Sequence, residues 1–314
     1  MTTHTSGLET VTHSEPAMGG MLEVTITVEP ERRAAAAQAA RRAAHRVQVW
    51  ASRLTRFSPD SDLSALNTSR ESQILVRPTL AGALRWAADA ERRSNGVVDA
   101  TMLDQRLAAE NGTQVEPDSV RSWRVANADA SRTAVVERTA DFRFDLDGVA
   151  KGWIADRAAD LLHGWPGVAV NADGDISVHA DSGVEWFVSV ADPRSNGEDD
   201  PPLATLRLRG GDGWSRGYGV ATSGTSVHRW QLADGRTTHH LIDRRTGRSA
   251  DTDVVQATVI APTAREAEMI AKSAVILGAR DAYAFLTRSS AMAAILLLEC
   301  DDLVATPGTE KWLA

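Results

Sequence analysis

The stretch 142–162 (FRFDLDGVAKGWIADRAADLL) restricts the possible folds of this chain more than any other. Its residues Phe142, Phe144 and Leu146 alternate with charged residues, which is the period of a half-buried strand. Glycines then permit a tight turn, and the apolar residues after the turn fall at helical spacing. Lys151 therefore lies where a strand gives way to a helix N-terminus, whose unpaired backbone N–H groups attract anions. The alternative is an ordinary strand–turn–helix unit with a solvent-facing lysine.

Lysine is rare in this sequence, and two of its lysines stand in helical segments rich in Gly or Ala. Lys and Arg together number 34, yet the only lysines are Lys151, Lys272 and Lys311. An ammonium group is a compact point charge that suits contact with a phosphate. The rarity therefore favours a phosphate-binding role, with a general compositional bias toward Ala and Arg as the alternative.

The length, charge and cysteine content exclude several classes of protein. With 314 residues the chain can form one large domain or two small ones, with an ample apolar core. A net charge of −8 and a pI near 5.5 argue against a nucleic-acid-binding surface. The single cysteine, Cys300, excludes a disulfide framework and an all-cysteine metal site.

The N-terminal segment and the hydropathy of the chain predict a cytoplasmic protein. Residues 1–20 contain no basic region, no apolar core of a signal peptide and no cysteine for lipidation. No stretch approaches the roughly 18 apolar residues of a membrane span. We expect residues 1–17 to form a disordered leader and residues 18–314 to form a single domain.

Strands and helices are mixed along the chain without a regular strand–helix–strand repeat. This order predicts an α+β fold, with mixed sheets and packed helices, rather than a doubly wound parallel sheet. A capping box of Thr263 and Glu266 begins one predicted helix, and Asp173-Gly174 forms a predicted hairpin turn. The predicted strands are 21–28, 142–146, 168–180 (a hairpin), 186–190, 203–208, 218–222, 254–260 (buried on both faces) and 291–298, and the predicted helices are 32–54, 79–96, 153–162 and 264–277.

Three further motifs carry polar groups that could take part in chemistry. The segment 221–225 (ATSGT) ends a predicted strand with hydroxyls and a glycine, and such a turn either holds an anion or is a capped loop. His240 precedes an apolar pair and a turn that begins at Asp243, a setting in which a histidine is more often structural than catalytic. Glu268 and Lys272 stand four residues apart on one helix, which is the spacing of a weak surface salt bridge.

Eight segments follow one another along the chain from about Met18 to Gly278. They read AMGG, FSPDSDLSALN, NGVVDAT, DLDGVAKGWIADRAADLL, VNADGDISVHA, VATSGT, HHLIDRRTG and APTAREAEMIAKSAVILG. The fourth resembles a DLGGIAKGYAVDRAAELL-type signature, and the seventh resembles an H-I-I-D-P-R-T-G block. In series, the eight resemble the motifs of the ApbE family, the FAD:protein FMN transferases.

The resemblance implies a single α+β domain that binds FAD together with a divalent metal, usually Mg²⁺. The family transfers FMN from FAD to a Thr or Ser hydroxyl of a target flavoprotein and releases AMP. Positions that match the family's flavin or FAD contacts are Met18, Phe57, Val97, Val98, Asp99, Asp147 and Trp153. Further expected contacts of the cofactor are Lys151, Thr222, Ser223, Gly224 and Leu241.

The resemblance also implies catalytic and metal-binding positions. His240 matches the reactive-centre histidine of the family, and its imidazole could accept the proton of the acceptor hydroxyl. The Ala150 carbonyl, Glu268 and Lys272 match the places that bind the metal. Lys272 is also expected to contact the phosphate and so to take part in catalysis.

Three positions depart from the family pattern. Asp147 replaces a small residue and adds negative charge near a polyanion. Glu268 is one methylene longer than the usual Asp, and Lys272 replaces a neutral Thr with a cation, which disfavours a metal beside it. We therefore expect a weakened metal site. The alternatives to FMN transfer are metal-dependent hydrolysis of FAD to FMN and AMP, and FAD binding without catalysis.

Overall fold

Helices and strands are mixed along the chain in this computed structural model, which describes residues 1–4, 7–117, 121–127, 134–139, 141–195, 200–211, 217–232, 235 and 237–314. The mixture confirms the predicted α+β class. The helices are α1 (Arg33–Leu54), α2 (Asp62–Thr68), α3 (Pro78–Arg93), α4 (Leu103–Glu110), α5 (Ala150–Asp160) and α6 (Ala264–Leu286). The strands are β1 (Thr2–His4), β2 (Glu9–Ala17), β3 (Gly20–Val28), β4 (Gln73–Val76), β5 (Trp123–Asn127), β6 (Ala134–Arg138), β7 (Gly167–Ala172), β8 (Asp175–Ala180), β9 (Glu185–Val190), β10 (Ala204–Arg209), β11 (Tyr218–Gly224), β12 (Arg229–Gln231), β13 (Thr237–His239), β14 (Ile242–Asp243), β15 (Arg248–Ser249), β16 (Val254–Ala261), β17 (Ala293–Leu298) and β18 (Leu303–Ala305).

An antiparallel sheet of eight strands, in the order β18-β17-β16-β11-β8-β7-β3-β2, forms the centre of the fold. Helices α1, α5 and α6 cover one face of this sheet. The three-stranded sheet β1-β9-β10 packs against the other face, where Trp186 of β9 lies in a core with Val178 and Val220. Because both faces are covered, β16 is buried on both sides, as the apolar run 254–260 predicted.

Smaller units surround the central sheet. The three-stranded sheet β4-β6-β5 packs against α3, and the pairs β12-β13 and β14-β15 form two short antiparallel ladders. None of the described helices is both long enough and apolar enough to cross a membrane.

The prediction of a disordered leader over residues 1–17 is wrong, because β1 and β2 lie within it. Strand β2 pairs with β3 along its whole length, and its Val11 and Ala17 are buried. The other side chains of β2 are at least partly exposed and mostly polar, so the strand shows little apolar alternation. The tight turn after it places Met18 and Gly19 in left-handed conformations, with φ of 55° and 90°.

The predicted strand at 142–146 belongs to no sheet of the described residues. The backbone of Phe144 instead bonds to one side chain: its N–H donates to Asn67 Oδ1 at 2.7 Å, and its carbonyl accepts from Asn67 Nδ2 at 2.8 Å. The N–H of Asp145 donates to the Ala100 carbonyl at 2.7 Å. Burial still alternates along the segment, so its pattern is that of a strand although an amide side chain replaces the neighbouring strand.

Helices α5 and α6 cap each other through two carboxylates. The N–H groups of Ala264 and Arg265, at the start of α6, donate to Asp156 of α5 at 2.9 and 3.2 Å. In return, the N–H of Gly152 in the first turn of α5 donates to Glu268 Oε2 of α6 at 3.0 Å. Glycine is needed here, because a Cβ on Gly152 would lie 2.6 Å from the Ala264 carbonyl oxygen. The two caps fix α6 relative to the turn that precedes α5.

The capping box predicted at the start of α6 is confirmed. Thr263 Oγ1 accepts from the Glu266 N–H at 3.3 Å and donates to the Glu266 carboxylate at 3.1 Å. The helix continues past the predicted end at residue 277 as far as Leu286, through a kink at Gly278, where φ is 76°.

Candidate active site

Two adjoining cavities open at one end of the eight-stranded sheet. The hairpin tips of β2-β3 and β7-β8 meet there, and the N–H of Asp173 donates to the Met21 carbonyl at 3.1 Å. The larger cavity has a volume of about 780 Å³ and the smaller a volume of about 290 Å³. Both cavities are lined by Asp147, Lys151 and His228.

The smaller cavity brings together most of the residues predicted for phosphate binding and proton transfer. Its walls are the first turn of α5, the end of β11, the segment 226–228 and one face of α6. Residues that are distant in the sequence therefore share one space. The predicted site residues that line it are Asp147, Lys151, Thr222, Ser223, Gly224, His240, Leu241, Glu268 and Lys272.

Lys151 is the second residue of α5, and acidic partners already surround its ammonium group. Its Nζ lies 3.7 Å from Asp175 Oδ2 and 3.8 Å from Asp173 Oδ2, and it donates to the Asp173 carbonyl at 3.3 Å. The negative charge of Asp175, the largest cause, raises the pKa of Lys151 above its usual range. Lys151 stands at a helix N-terminus as predicted, but it is already ion-paired.

Lys272 reaches the turn before α5 from the opposite wall. Its Nζ lies against Gly148, where a Cβ would be 2.0 Å from it. No carboxylate oxygen of the described residues lies within 4.0 Å of this nitrogen, so the alternative of a salt bridge with Glu268 is not realised. Burial lowers the pKa of Lys272, and the charges of Asp145 and Asp147 oppose this effect. The ammonium group therefore faces the cavity without a direct ion pair.

Glu268 and Asp175 are buried carboxylates beside the two lysines. Glu268 Oε1 and Asp175 Oδ2 have no hydrogen-bond partner among the described residues. Burial raises the pKa of Asp175 to about 6. Burial, and after it the charge of Asp175, raises the pKa of Glu268 well above its ordinary value. The pair therefore binds a proton more readily than two exposed carboxyl groups would.

Asp147 faces both cavities and is held by Arg106. Arg106 Nη1 donates to Asp147 Oδ2 at 2.5 Å, and Arg106 Nε donates to Glu110 Oε1 at 3.1 Å. Burial tends to raise the pKa of Asp147, but the charge of Arg106 and its hydrogen bond outweigh burial and lower this pKa to about 2. The negative charge of Asp147 is therefore balanced within the chain.

His240 lines the smaller cavity, and one of its ring nitrogens has no hydrogen-bond partner among the described residues. Its Nδ1 is buried and has no hydrogen-bond partner in the described part of the chain, and its ring packs edge-on against His228, with centroids 5.2 Å apart. Burial, and after it the charge of Lys272, lowers the pKa of His240 to about 3. The imidazole is therefore neutral near pH 7, and a neutral imidazole can accept a proton.

The neighbouring His239 turns its polar atoms into the fold. Its Nε2 lies 3.1 Å from the Ala250 carbonyl oxygen, and its Nδ1 accepts from the Leu241 N–H at 3.3 Å. Because Nδ1 accepts a hydrogen bond, Nε2 carries the proton and donates. His239 thus holds the loop in place, while His240 faces the cavity.

The larger cavity offers aromatic and apolar surface. Met18, Phe57 and Trp230 line it, and the guanidinium of Arg56 lies 4.2 Å from the centroid of the Phe57 ring. Phe57 is 76% exposed, although it is a large apolar side chain. An exposed ring at the wall of a largely apolar cavity suits the binding of a flat aromatic group.

Four predicted contacts of the cofactor lie outside both cavities. Val98 is buried in the core, and Trp153 packs edge-on against Trp50 with ring centroids 6.4 Å apart. Asp99 is ion-paired with Arg244, with Oδ2 3.1 Å from Nε. These side chains are engaged in packing and ion pairing within the fold. The four residues are Val97, Val98, Asp99 and Trp153.

The segment 222–224, predicted as an anion-binding turn, is the end of strand β11. Thr222 pairs opposite Thr258 of β16, and their hydroxyl oxygens lie 2.9 Å apart. The chain bends only from residue 225 onwards. The two hydroxyl side chains remain on the cavity wall, but the backbone belongs to the sheet.

Three residues of the site were missed by sequence reasoning. Arg106 lies in a region of weak apolar pattern, and its spacing of four from Glu110 is the only local signal of an ion pair. Asp175 directly follows a hairpin turn and begins a strand whose first four residues are buried, which is an unusual place for a carboxylate. His228 has a left-handed backbone (φ 49°), and no neighbouring residue in the sequence marks it.

The acidic residues of the smaller cavity do not fit a site for a divalent metal. Among the described residues, no group of three His, Cys, Asp or Glu side chains is placed to hold a metal ion. Arg106 already bonds to Asp147, and Lys151 lies beside Asp175. One oxygen of Glu268 accepts a backbone N–H, which leaves its Oε1 as a single unpartnered oxygen.

The sequence matches a known family over most of its length. The family model described as the ApbE family matches residues 18–296. The FAD:protein FMN transferase of Treponema pallidum is 28% identical over 181 residues, which are 54% of this chain and 47% of that protein, so the match spans about half of that relative. The FAD:protein FMN transferase of Escherichia coli K12 is 24% identical over 268 residues, covering 79% of this chain and 74% of that protein.

Solved structures share the fold of this chain. The ApbE protein of Thermotoga maritima has a TM-score of 0.78 at 18% identity, covering 98% of this chain and 100% of that one. The flavin transferase ApbE of Vibrio cholerae has a TM-score of 0.72 at 20% identity, again covering 98% and 100%. At these identities the likeness establishes the fold.

Proposed function

Because this chain belongs to the ApbE family, we propose that it is an FAD:protein FMN transferase. It takes FMN from FAD, attaches it to a Thr or Ser hydroxyl of a target flavoprotein and releases AMP. One observation carries the proposal for this chain. His240, with an unpartnered ring nitrogen, and Lys272, with an ammonium group outside any direct ion pair, face the same cavity beside the start of α5.

In this proposal the two cavities divide FAD between them. The flavin ring occupies the larger cavity, where Met18 and Phe57 supply apolar and aromatic contact. The pyrophosphate occupies the smaller cavity, where the positive end of the α5 dipole and the ammonium of Lys272 favour an anion. The hydroxyls of Thr222 and Ser223 lie on the wall of that cavity.

The reaction is a transfer at phosphorus in which His240 acts as the general base. The hydroxyl oxygen of the acceptor attacks the phosphorus on the FMN side of the pyrophosphate, and its proton passes to His240. The new P–O bond forms as the bond from that phosphorus to the bridging oxygen breaks, and AMP leaves with the bridging oxygen. Lys272 stabilises the negative charge on the phosphate oxygens.

Magnesium, which the family resemblance implies, finds a poor ligand set in this chain. Of the positions expected to hold it, Ala150 is the first residue of α5 and lines the larger cavity, and Glu268 contributes one unpartnered oxygen. Lys272 contributes a positive charge, which repels a metal ion. These residues do not fit a dedicated site, and the reaction proposed here uses no metal-dependent step.

Measurement of AMP after mixing the purified protein with FAD tests the reaction. We expect AMP to form only when an acceptor flavoprotein is present. Co-expression with candidate acceptors, followed by mass spectrometry, should show FMN added to a Thr or Ser of one of them. AMP formed without any acceptor would instead assign hydrolysis, and bound FAD without AMP in either experiment would assign a binding protein.

A further inference from the structure

We propose that Lys272 is the built-in cation of the pyrophosphate site, so that this chain binds FAD without a divalent metal ion. The proposal rests on the proposed function only in taking FAD as the ligand. It assigns to one side chain the positive charge that a phosphate ligand needs in this cavity.

The ammonium group of Lys272 lies directly over the turn that leads into α5. A Cβ on Gly148 would be 2.0 Å from Nζ, so the nitrogen occupies the space that the absent side chain leaves free. Two N–H groups at the start of α5 are already bonded within the chain: that of Ala150 donates to the Leu146 carbonyl, and that of Gly152 donates to Glu268 Oε2. A phosphate group in this cavity therefore meets the ammonium of Lys272, which lines its wall.

Lys272 differs from the other lysine of the cavity in its partners. Lys151 has carboxylate oxygens at 3.7 and 3.8 Å, and it is therefore committed to the protein. Lys272 has no carboxylate oxygen of the described residues within 4.0 Å. Its charge is therefore available to a ligand, because no existing ion pair has to break first.

Each carboxylate around the cavity already faces a cation or a backbone donor of the chain. Asp147 is bonded to Arg106, and Asp175 lies beside Lys151. Glu268 holds the first turn of α5 through one oxygen, so its Oε1 and Asp175 Oδ2 are the carboxylate oxygens left without a hydrogen bond. A metal ion bound there would share the cavity with two ammonium groups, whose like charge repels it. A single fixed cation explains this arrangement better than a weakened metal site does.

The test is the affinity of the intact purified protein for FAD, measured by calorimetry in EDTA and across a Mg²⁺ titration. We expect the Kd of the parent protein to differ by less than about threefold between the two conditions. Lys272→Met keeps an unbranched side chain of similar length and removes its charge, and it should weaken FAD binding by more than about tenfold in EDTA. Lys272→Thr should be equally weak in EDTA and should regain affinity as Mg²⁺ rises.

Two controls separate charge from folding. Lys311→Met removes the same charge from an exposed lysine near the end of the chain, and it should leave the Kd for FAD unchanged. Riboflavin has no phosphate, so its affinity should be the same for the parent and for Lys272→Met. A loss of riboflavin binding in Lys272→Met would show damage to the flavin pocket and would count against the charge-based role of Lys272.

Two results would overturn the proposal. One is a parent protein whose affinity for FAD falls more than about tenfold in EDTA. The other is a Lys272→Met variant that binds FAD as tightly as the parent does. Metal-independent FAD binding without any FMN transfer would reject the proposed function but support this inference, whereas no FAD binding under any condition would reject both.

Discussion

The adjacent residues His239 and His240 have opposite surroundings, which makes them a matched pair for substitution. We expect His240→Ala to slow AMP release by roughly 10²–10⁴-fold, the usual contribution of a general base. The affinity for FAD should remain nearly unchanged, because the imidazole acts on the acceptor proton rather than on the cofactor. Rates of AMP release and calorimetry with FAD measure the two effects separately.

His239→Ala is the control for this substitution. It removes the hydrogen bonds to Ala250 and Leu241, so it should lower the free energy of unfolding by about 1 kcal/mol and slow AMP release much less. If the two variants lose activity equally, or if His240→Ala simply unfolds the protein, His240 is a structural residue.

The pKa of His240 predicts the pH dependence of the free protein. Burial and Lys272 lower it from 6.5 to about 3, so the imidazole stays neutral between about pH 5 and 8. The value of kcat/KM for AMP release should therefore show no acidic limb from His240 in this range. Lys272→Met removes one cause of the shift, and nuclear magnetic resonance titration of the ring should show a higher pKa in that variant.

The same shift affects stability with a defined sign. Because folding lowers the pKa of His240, its contribution to the free energy of unfolding is fully present above pH 6.5 and is lost as the pH falls from 6.5 toward 3. An acidic limb of kcat/KM near pH 6.5 in the parent protein would contradict this environment for His240.

Single residues of the site were predictable where a local motif surrounds them. His240 and Lys151 stand in motifs of a few neighbouring residues, and both line the smaller cavity. The partner of Asp147 was not predictable in this way, because Arg106 is separated from it by 41 positions. The charge that Asp147 adds looked unfavourable in the sequence, and only the fold shows the guanidinium that balances it.

The reciprocal caps of α5 and α6 belong to the scale of the elements. Asp156→Ala removes the acceptor for two N–H groups at the start of α6 and should lower the free energy of unfolding by about 1–2 kcal/mol. FAD affinity should also fall, because α6 carries Lys272. Asp156→Asn keeps an acceptor oxygen and should lose less of both. Chemical denaturation and calorimetry would refute this account if Asp156→Ala left stability and affinity unchanged.

Gly152 supports the same pair of helices through its lack of a side chain. A Cβ there would meet the backbone of Ala264 at 2.6 Å, so Gly152→Ala must push the two helices apart. We expect a loss of about 1–3 kcal/mol in the free energy of unfolding, the range of overpacked sites. Gly164→Ala is not a suitable control, because the φ of Gly164 is 96° and an alanine there would be strained. Ala159→Gly is the control, because it changes a buried residue of α5 without introducing a clash. A denaturation midpoint for Gly152→Ala equal to that of the parent would contradict this close approach.

The elements were predictable where their signals are local. The capping box of Thr263 and the hairpin turn at Asp173-Gly174 both stand as predicted. The edge strand β2 was not predicted, because few of its residues are buried. Its strand conformation depends on pairing with β3. The segment 142–146 has the period of a strand, but an amide side chain from residue 67 takes the place of the neighbouring strand.

At the scale of the whole molecule, the central sheet separates two hydrophobic cores. One lies under helices α1, α5 and α6, and the other lies under the sheet β1-β9-β10. Trp186, 1% exposed, fills the core between this sheet and the sheet β1-β9-β10, on the face opposite to α5 and α6. We expect Trp186→Ala to lower the free energy of unfolding by about 3–5 kcal/mol, as large-to-small core substitutions do. FAD affinity of the molecules that remain folded should be unchanged. An altered Kd at a temperature well below the unfolding transition would show that the second core shapes the site.

The α+β class follows from the order of elements, but the assembly of the site does not. The cavities form where hairpin tips, the end of β11 and two helices converge, and their residues come from segments far apart in the chain. Sequence periodicity reports burial along one element, and it carries no information about which elements meet.

The placement of the three lysines gives the protein a natural chemical label. Lys311 is exposed, whereas Lys151 and Lys272 lie on the walls of the smaller cavity. An acylating reagent that reacts with amines would therefore modify Lys311 readily and reach Lys272 only through the site. Mass spectrometry of the peptide that contains Lys272, normalised to the peptide that contains Lys311, would then report how much of the site is occupied. In a chain with more lysines, this labelling could not report the occupancy of the site without an added probe.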